Sequence, residues 1–126
     1  MPLATGVDII EIARVQRAVE RHGERFLERI FTPAELARYR RHPAELAARF
    51  AAKEAVSKAL GVGMQHLSDR GIAWREVEIL PDPHGKPEVY LSGRAADLAS
   101  AQGLHRWAIS LSHSREYAVA FVVATE

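Results

Sequence analysis

The chain contains no cysteine, so disulfides and thiolate chemistry are both excluded, and any metal has to be held by oxygen or imidazole ligands. No apolar run approaches the roughly 18 residues of a membrane-spanning helix, and the N-terminus, MPLATGVDII, lacks the basic region and long apolar stretch of a secretory leader. A cytoplasmic protein with no membrane partner is the expectation. Four familiar signatures are missing as well: the Gly-x-x-x-x-Gly-Lys-Ser/Thr loop, the Gly-x-Gly-x-x-Gly fingerprint, the His-Glu-x-x-His helix and the Gly-x-Ser-x-Gly elbow. The two best-known nucleotide sites and the usual zinc and serine hydrolases have no support.

What is present is ordinary in bulk. Hydrophobic residues make up 48% of the 126 positions and charged residues 26%, a balance that favours a folded core over disorder. At this length one domain spanning residues 1–126 is expected, and no repeat, linker or low-complexity stretch divides it. The formal charge is only +1, yet arginines crowd the stretch from Arg14 to Arg49. The N-terminal half is therefore expected to offer a basic surface to an acidic partner or to phosphates.

Along the chain, Leu3 to Ile10 is a short β-branched apolar run that reads as a buried strand. Within it Asp8 is open to two readings: a carboxylate at the strand end that needs a cation or a partner, or the N-cap of the following helix. Ile12, Val15 and Val19 stripe a helix over Glu11 to His22 that stops at Gly23, and Phe26, Leu27 and Ile30 form a further apolar cluster. Thr32-Pro33-Ala34-Glu35 has the cap, proline and glutamate of a strong helix start. His42-Pro43 breaks that helix; the next runs from Ala44 to Leu60 and stops at Gly61-Val62-Gly63, while Met64 to Gly71 reads as polar and irregular, without chemistry. Then the period changes to two. Trp74 to Leu80 and Glu88 to Leu91 are the strands of a hairpin closed by Pro81 to Pro87. Ser92 caps a helix over Gly93 to Gln102, and Trp107 to Leu111 and the valine-rich, buried Tyr117 to Ala124 are two more strands, joined by a polar connection from Ser112 to Glu116 that carries His113. The expected fold is α+β, one compact domain with an antiparallel sheet packed against the alanine-rich helix.

The stretch Arg49 to Leu60, RFAAKEAVSKAL, stands at the centre of the chemistry. Ala48, Ala51, Ala52, Ala55 and Ala59 allow a neighbouring element to approach closely. Glu54 and Lys58 share one face, and Arg49, Lys53 and Ser57 form a second polar stripe beside Phe50. Alone, Glu54 and Lys58 would be a solvated ion pair worth about 0.2–0.5 kcal/mol. Taken with Asp8, they suggest more. Two hard oxygen ligands with basic neighbours suit a magnesium ion shared with a diphosphate, and lysines beside it would offset charge on transferring phosphoryl oxygens.

Gly6-Val7-Asp8-Ile9-Ile10-Glu11, followed by Arg49-Phe50-Ala51-Ala52-Lys53-Glu54-Ala55-Val56-Ser57-Lys58-Ala59 and by Ser110-Leu111-Ser112-His113-Ser114, resembles the holo-acyl-carrier-protein synthases, the small class of 4′-phosphopantetheinyl transferases. Phe31-Thr32-Pro33-Ala34-Glu35 and Gly85-Lys86-Pro87 agree with it. The resemblance implies the fold of that class and transfer of 4′-phosphopantetheine from coenzyme A to a serine of apo acyl carrier protein in fatty acid biosynthesis, releasing adenosine 3′,5′-bisphosphate. It implies magnesium on Asp8 and Glu54, Lys58 near the transferring phosphate, and a homotrimer with sites between neighbours. Coenzyme A would touch Arg49, Lys53, Ser57, Lys58, Gly61, Ser112 and His113, and the acidic carrier protein would dock on Arg14, Arg21 and Arg25. For the serine proton, Glu54 is the first candidate and His113 the second.

Two other readings compete. One is a non-catalytic coenzyme A or nucleotide-binding module, in which the same cations hold phosphates and nothing is transferred. The other is a nucleic-acid binder using Arg38-Tyr39-Arg40-Arg41-His42; that run sits just before a proline and reads better as a solvated helix end, so no nucleic-acid partner is expected.

Overall fold

In the computed structural model, which describes residues 1–65 and 70–126, strand β1 (Leu3–Glu11) leads into four helices: α1 (Ile12–His22), α2 (Glu24–Ile30), α3 (Pro33–Tyr39) and α4 (Pro43–Leu60). A 3-10 turn at Trp74–Glu76 precedes β2 (Val77–Pro81) and β3 (Pro87–Leu91), and α5 (Gly93–Ala101), β4 (Arg106–His113) and β5 (Tyr117–Thr125) complete the order. Strands β1, β5 and β4 form an antiparallel sheet in that sequence, and β2 pairs with β3 as a separate hairpin. The expected α+β architecture forms, with two small sheets in place of one. Among the described residues no helix is long and apolar enough to cross a membrane.

Local chemistry explains most boundaries. The Thr32 side chain accepts from the Glu35 backbone N–H, and Glu35 returns the bond to the Thr32 N–H, so the capping box read from the sequence is complete. Gly23, with φ of +55°, separates α1 from α2; Phe26, Leu27 and Ile30 are thus on a helix of their own. The first three residues assigned to the strand at Trp74 instead make the 3-10 turn. Met64 is fully buried and bridged in parallel to the fully buried Ile72, and Gly71 is buried as well, so both ends of the stretch from Met64 to Gly71 read as polar and irregular belong to the core. Residues 66–69 of that stretch lie outside the described residues.

Helix α4 covers one face of the three-stranded sheet. Gly6, Ile10, Ala118, Ala120, Val122 and Ala124 are buried beneath it, meeting Ala51, Ala52, Ala55 and Ala59 from the helix. A Cβ built on Gly6 would lie 2.8 Å from the Ala55 carbonyl carbon and 3.0 Å from the Ala59 nitrogen. Small residues on both sides bring the backbones together. The opposite face of the sheet is uncovered, with Val7 53%, Ile9 63% and Phe121 44% exposed. This corrects the reading of Leu3 to Ile10 and Tyr117 to Ala124 as buried strands, since each buries only one face. An apolar run on both faces looks the same in sequence whether one layer or two cover it.

On the other side of α4, Lys53 and Glu35 are both completely buried and 2.8 Å apart. Burial pushes the Lys53 ammonium below its ordinary value, and the Glu35 carboxylate pulls it back. Breaking such a pair by removing one partner costs about 3–5 kcal/mol.

Candidate functional site

Two clusters of polar side chains project from opposite sides of α4. The first lies where β1 meets the helix. The inward register of β1 places Asp8 beside α4, and the Gly6 contact holds it there. Lys58 Nζ donates to Asp8 Oδ1 at 3.0 Å and to the Val7 carbonyl at 3.0 Å. Asp8 therefore acts in the strand, and the N-cap reading fails: the cap of α1 is Glu11, which makes no side-chain cap bond.

Glu54 completes this cluster. Its carboxyl pKa is raised, chiefly by burial and next by the nearby Asp8 charge, with Lys58 and Arg14 acting in the opposite direction. Lys58 and Arg14 offset burial and the neighbouring carboxylate only in part, so the two carboxylates can accept further positive charge. A divalent ion held by the two would supply it. Both donors are hard oxygens, the type that magnesium takes from one or two protein carboxylates. The remaining positions would fall to water and substrate phosphates.

The second cluster lines an open cleft of about 580 Å³ between the start of α4, the tip of the β2–β3 hairpin and the end of β4. Arg49 is its anchor. The guanidinium stacks 3.9 Å from the Tyr39 ring centroid, donates to the Tyr39 hydroxyl at 2.9 Å and pairs with Glu45 at 3.1 Å. Its Nε is buried without a partner among the described residues. His113 Nε2 lies 3.8 Å from Glu45 Oε1, and Lys86, Ser110 and Ser112 also border the cleft. A pinned arginine, a lysine and two hydroxyls suit phosphate oxygens.

Not every residue expected at the site reaches it. Lys53 is 0% exposed; its Nζ donates to Glu35, to the Trp74 carbonyl at 3.2 Å and to the Val77 carbonyl. It is a core residue, which corrects its assignment to coenzyme A. Ser57 is 1% exposed and gives its hydroxyl to the Glu54 carbonyl at 2.7 Å, so its assignment is corrected too. Helical spacing places these two in a stripe with Arg49, but packing buries the whole stripe and leaves only Arg49 bordering the cleft. Gly61 is exposed and left-handed at φ of +76°, terminating α4 through its N–H to the Lys58 carbonyl.

Arg14, Arg21 and Arg25 are all exposed, and of the three Arg14 acts on the Glu54 charge, which puts it near the first cluster. Arg25 also lines a groove with His22, Phe26 and Arg29; Arg29 was overlooked, although its spacing of one turn from Arg25 would have revealed it. Glu45 stands one helical turn before Arg49, so periodicity alone would have paired them, whereas only the fold carries Tyr39 and Lys86 to Arg49. In the basic run before Pro43, Arg40 is paired with Glu24.

Comparison with known proteins agrees with this geometry. The family model described as the 4′-phosphopantetheinyl transferase superfamily matches residues 4–122. The chain is 50% identical over 123 residues to a holo-(acyl-carrier-protein) synthase of Herpetosiphon aurantiacus, covering 96% of this chain and 97% of that one. Among solved structures, the Helicobacter pylori holo-(acyl-carrier-protein) synthase in complex with coenzyme A superposes with a TM-score of 0.84 at 31% identity, over 96% of this chain and 99% of that one. The Neisseria meningitidis holo-(acyl-carrier-protein) synthase gives 0.83 at 35% identity, over 98% of each chain.

Proposed function

Since the chain belongs to the 4′-phosphopantetheinyl transferase superfamily, we propose that it moves 4′-phosphopantetheine from coenzyme A to a serine of apo acyl carrier protein in the cytoplasm, for fatty acid biosynthesis. The products are holo carrier protein and adenosine 3′,5′-bisphosphate. The observation that carries this reading is the placement of Asp8 against α4 with Lys58 bonded to it and Glu54 perturbed by it.

Asp8 and Glu54 would hold magnesium, which when bound supplies Lewis-acid stabilisation to the diphosphate. Lys58, whose side chain is 53% exposed, is free to turn from Asp8 toward the transferring phosphate. The carrier serine attacks the β-phosphorus of coenzyme A in line with the departing bisphosphate. Glu54 takes the serine proton, aided by the burial that makes it a stronger base than a surface carboxylate. A cation on the same carboxylate opposes that gain, so His113 is the second acceptor. Arg49, with Lys86 and Ser112 beside it, would hold the coenzyme phosphates, and Gly61 would border them where α4 ends.

A homotrimer with sites between neighbours is supported by two features. Lys58 lies about two and a half turns beyond Arg49 on α4, so one chain turns its phosphate cleft and its carboxylates to opposite sides of the helix. The uncovered apolar face around Val7, Ile9 and Phe121 is suited to another copy of the chain. Residues 1–126 would act as one transferase domain within it.

The test is to incubate the protein with coenzyme A, magnesium and an apo carrier protein and to weigh the carrier. A gain of one phosphopantetheine unit is expected, and binding of coenzyme A with no gain on several carriers would favour the non-catalytic module. Arg14→Glu is expected to raise the KM for carrier protein about five- to tenfold, with little change for coenzyme A, because it reverses a charge on the docking face. An equal effect on both substrates would count against docking there.

A further inference from the structure

We propose that the buried Lys53–Glu35 pair is a positioning device: it fixes α4 against the β2–β3 hairpin and so holds the hairpin tip where it forms one wall of the Arg49 cleft. The proposal rests on the coenzyme A reading above for its effect on catalysis, but its structural part stands independently.

The need for such a device follows from the alanines. Helices lock their rotation and height through ridges of side chains that enter the grooves of a neighbour. Ala47, Ala48, Ala51, Ala52, Ala55 and Ala59 are all buried on α4, and methyl groups make shallow ridges. Close approach is gained at the expense of interlocking. Lys53 is the long polar side chain that crosses from this helix into the layer beyond. It ends on three acceptors at once: Glu35 on α3, and the Trp74 and Val77 carbonyls at the entrance to β2.

Glu35 spreads the restraint. Its Oε1 accepts from the Thr32 N–H at 2.9 Å as well as from Lys53, and its Oε2 accepts from the Ile79 N–H at 2.8 Å. The Thr32 hydroxyl in turn donates to Glu78. One carboxylate thus joins the start of α3, the middle of α4 and the free edge of β2. From there the hairpin transmits position to its tip. Val77 pairs with Leu91, Ile79 with Val89 and Pro81 with Pro87, and Asp82 closes the turn by accepting from the His84 and Lys86 N–H groups at 2.8 and 2.9 Å. Gly85, Lys86 and Pro87 then face Arg49 across the cleft.

A buried ion pair is a poor choice for stability alone, since apolar residues of similar volume are often as stabilising; fixing register is its best-attested use. The decisive variant is therefore the neutral double substitution Lys53→Met with Glu35→Gln, which keeps volume and leaves an amide to bond the Ile79 N–H. Amide hydrogen exchange is read first, without ligand. Exchange at Ile79, Glu88 and Tyr90 is expected to quicken about tenfold while β1 and β5 are unchanged. In the transfer assay the KM for coenzyme A is expected to rise about tenfold with kcat and the KM for carrier protein nearly unchanged. A folded double variant with wild-type exchange and KM would overturn the proposal, as would a uniform quickening over the whole chain, which marks lost stability without lost position. Should the double variant not fold, the isosteric Glu35→Gln is read by the same exchange measurement, and an unaltered hairpin overturns the proposal equally. Wild-type protein that fails to bind coenzyme A would sink the functional reading and leave the exchange result intact.

Discussion

A Gly6→Ala protein is expected to lose about 3 kcal/mol of folding stability, the upper end of what overpacking a core ordinarily costs. The added methyl would enter the Ala55 carbonyl and approach the Ala59 nitrogen. These are backbone atoms in the interior of α4, so no side chain can rotate aside. Either β1 or the helix must move. Because typical domains hold only about 5–15 kcal/mol in total, the urea midpoint should fall markedly with an unchanged slope. The displacement would also carry Asp8 away from Lys58 and Glu54, so transfer activity should drop even in the fraction that remains folded. An unaltered midpoint would show that the strand does not sit against α4 as closely as described.

Asp8→Ala or Glu54→Ala should reduce transfer on the order of a thousandfold, as expected where several kcal/mol of charge stabilisation are lost. The fold should survive either change. Burial and, next, the Asp8 charge disfavour the ionised form of Glu54; removing one carboxylate relieves that repulsion. Lys58 would lose an ion-pair partner in Asp8→Ala, but its side chain is half exposed and such pairs contribute little to stability. Unchanged melting together with lost activity is the signature of a site, and near-normal transfer in either variant would remove these carboxylates from it. Gly6→Ala and Asp8→Ala thus separate two roles within one short motif: the first acts through packing, the second through charge.

Much of the fold was legible because it is written in local rules. The capping box at Thr32 and Glu35, the break at Gly23, the stop at Gly61 and the alternation through Val77 and Ile79 each depend on near neighbours in the chain. The site was legible in part. Asp8, Glu54 and Lys58 form one cluster, and Arg49, Ser112 and His113 border one cleft. Glu45 follows from its one-turn spacing to Arg49, but the meeting of Tyr39 and Lys86 with Arg49 was not legible, because a cleft assembled from separate elements leaves no periodic trace of which of them come together.

The sequence by itself determined the chemistry available: hard oxygen ligands without thiols, an alanine-rich helix with cations along it, and a family motif that names the reaction. Only the tertiary structure decided which of those groups can use it. Arg49, Lys53 and Ser57 lie on one helical stripe, yet Glu35 on α3 claims Lys53 for the core, the helix backbone claims Ser57, and Arg49 alone of the three borders the cleft. Helical periodicity sets where side chains stand relative to one another. Whether they meet solvent, a ligand or a buried carboxylate depends on the elements that pack against them.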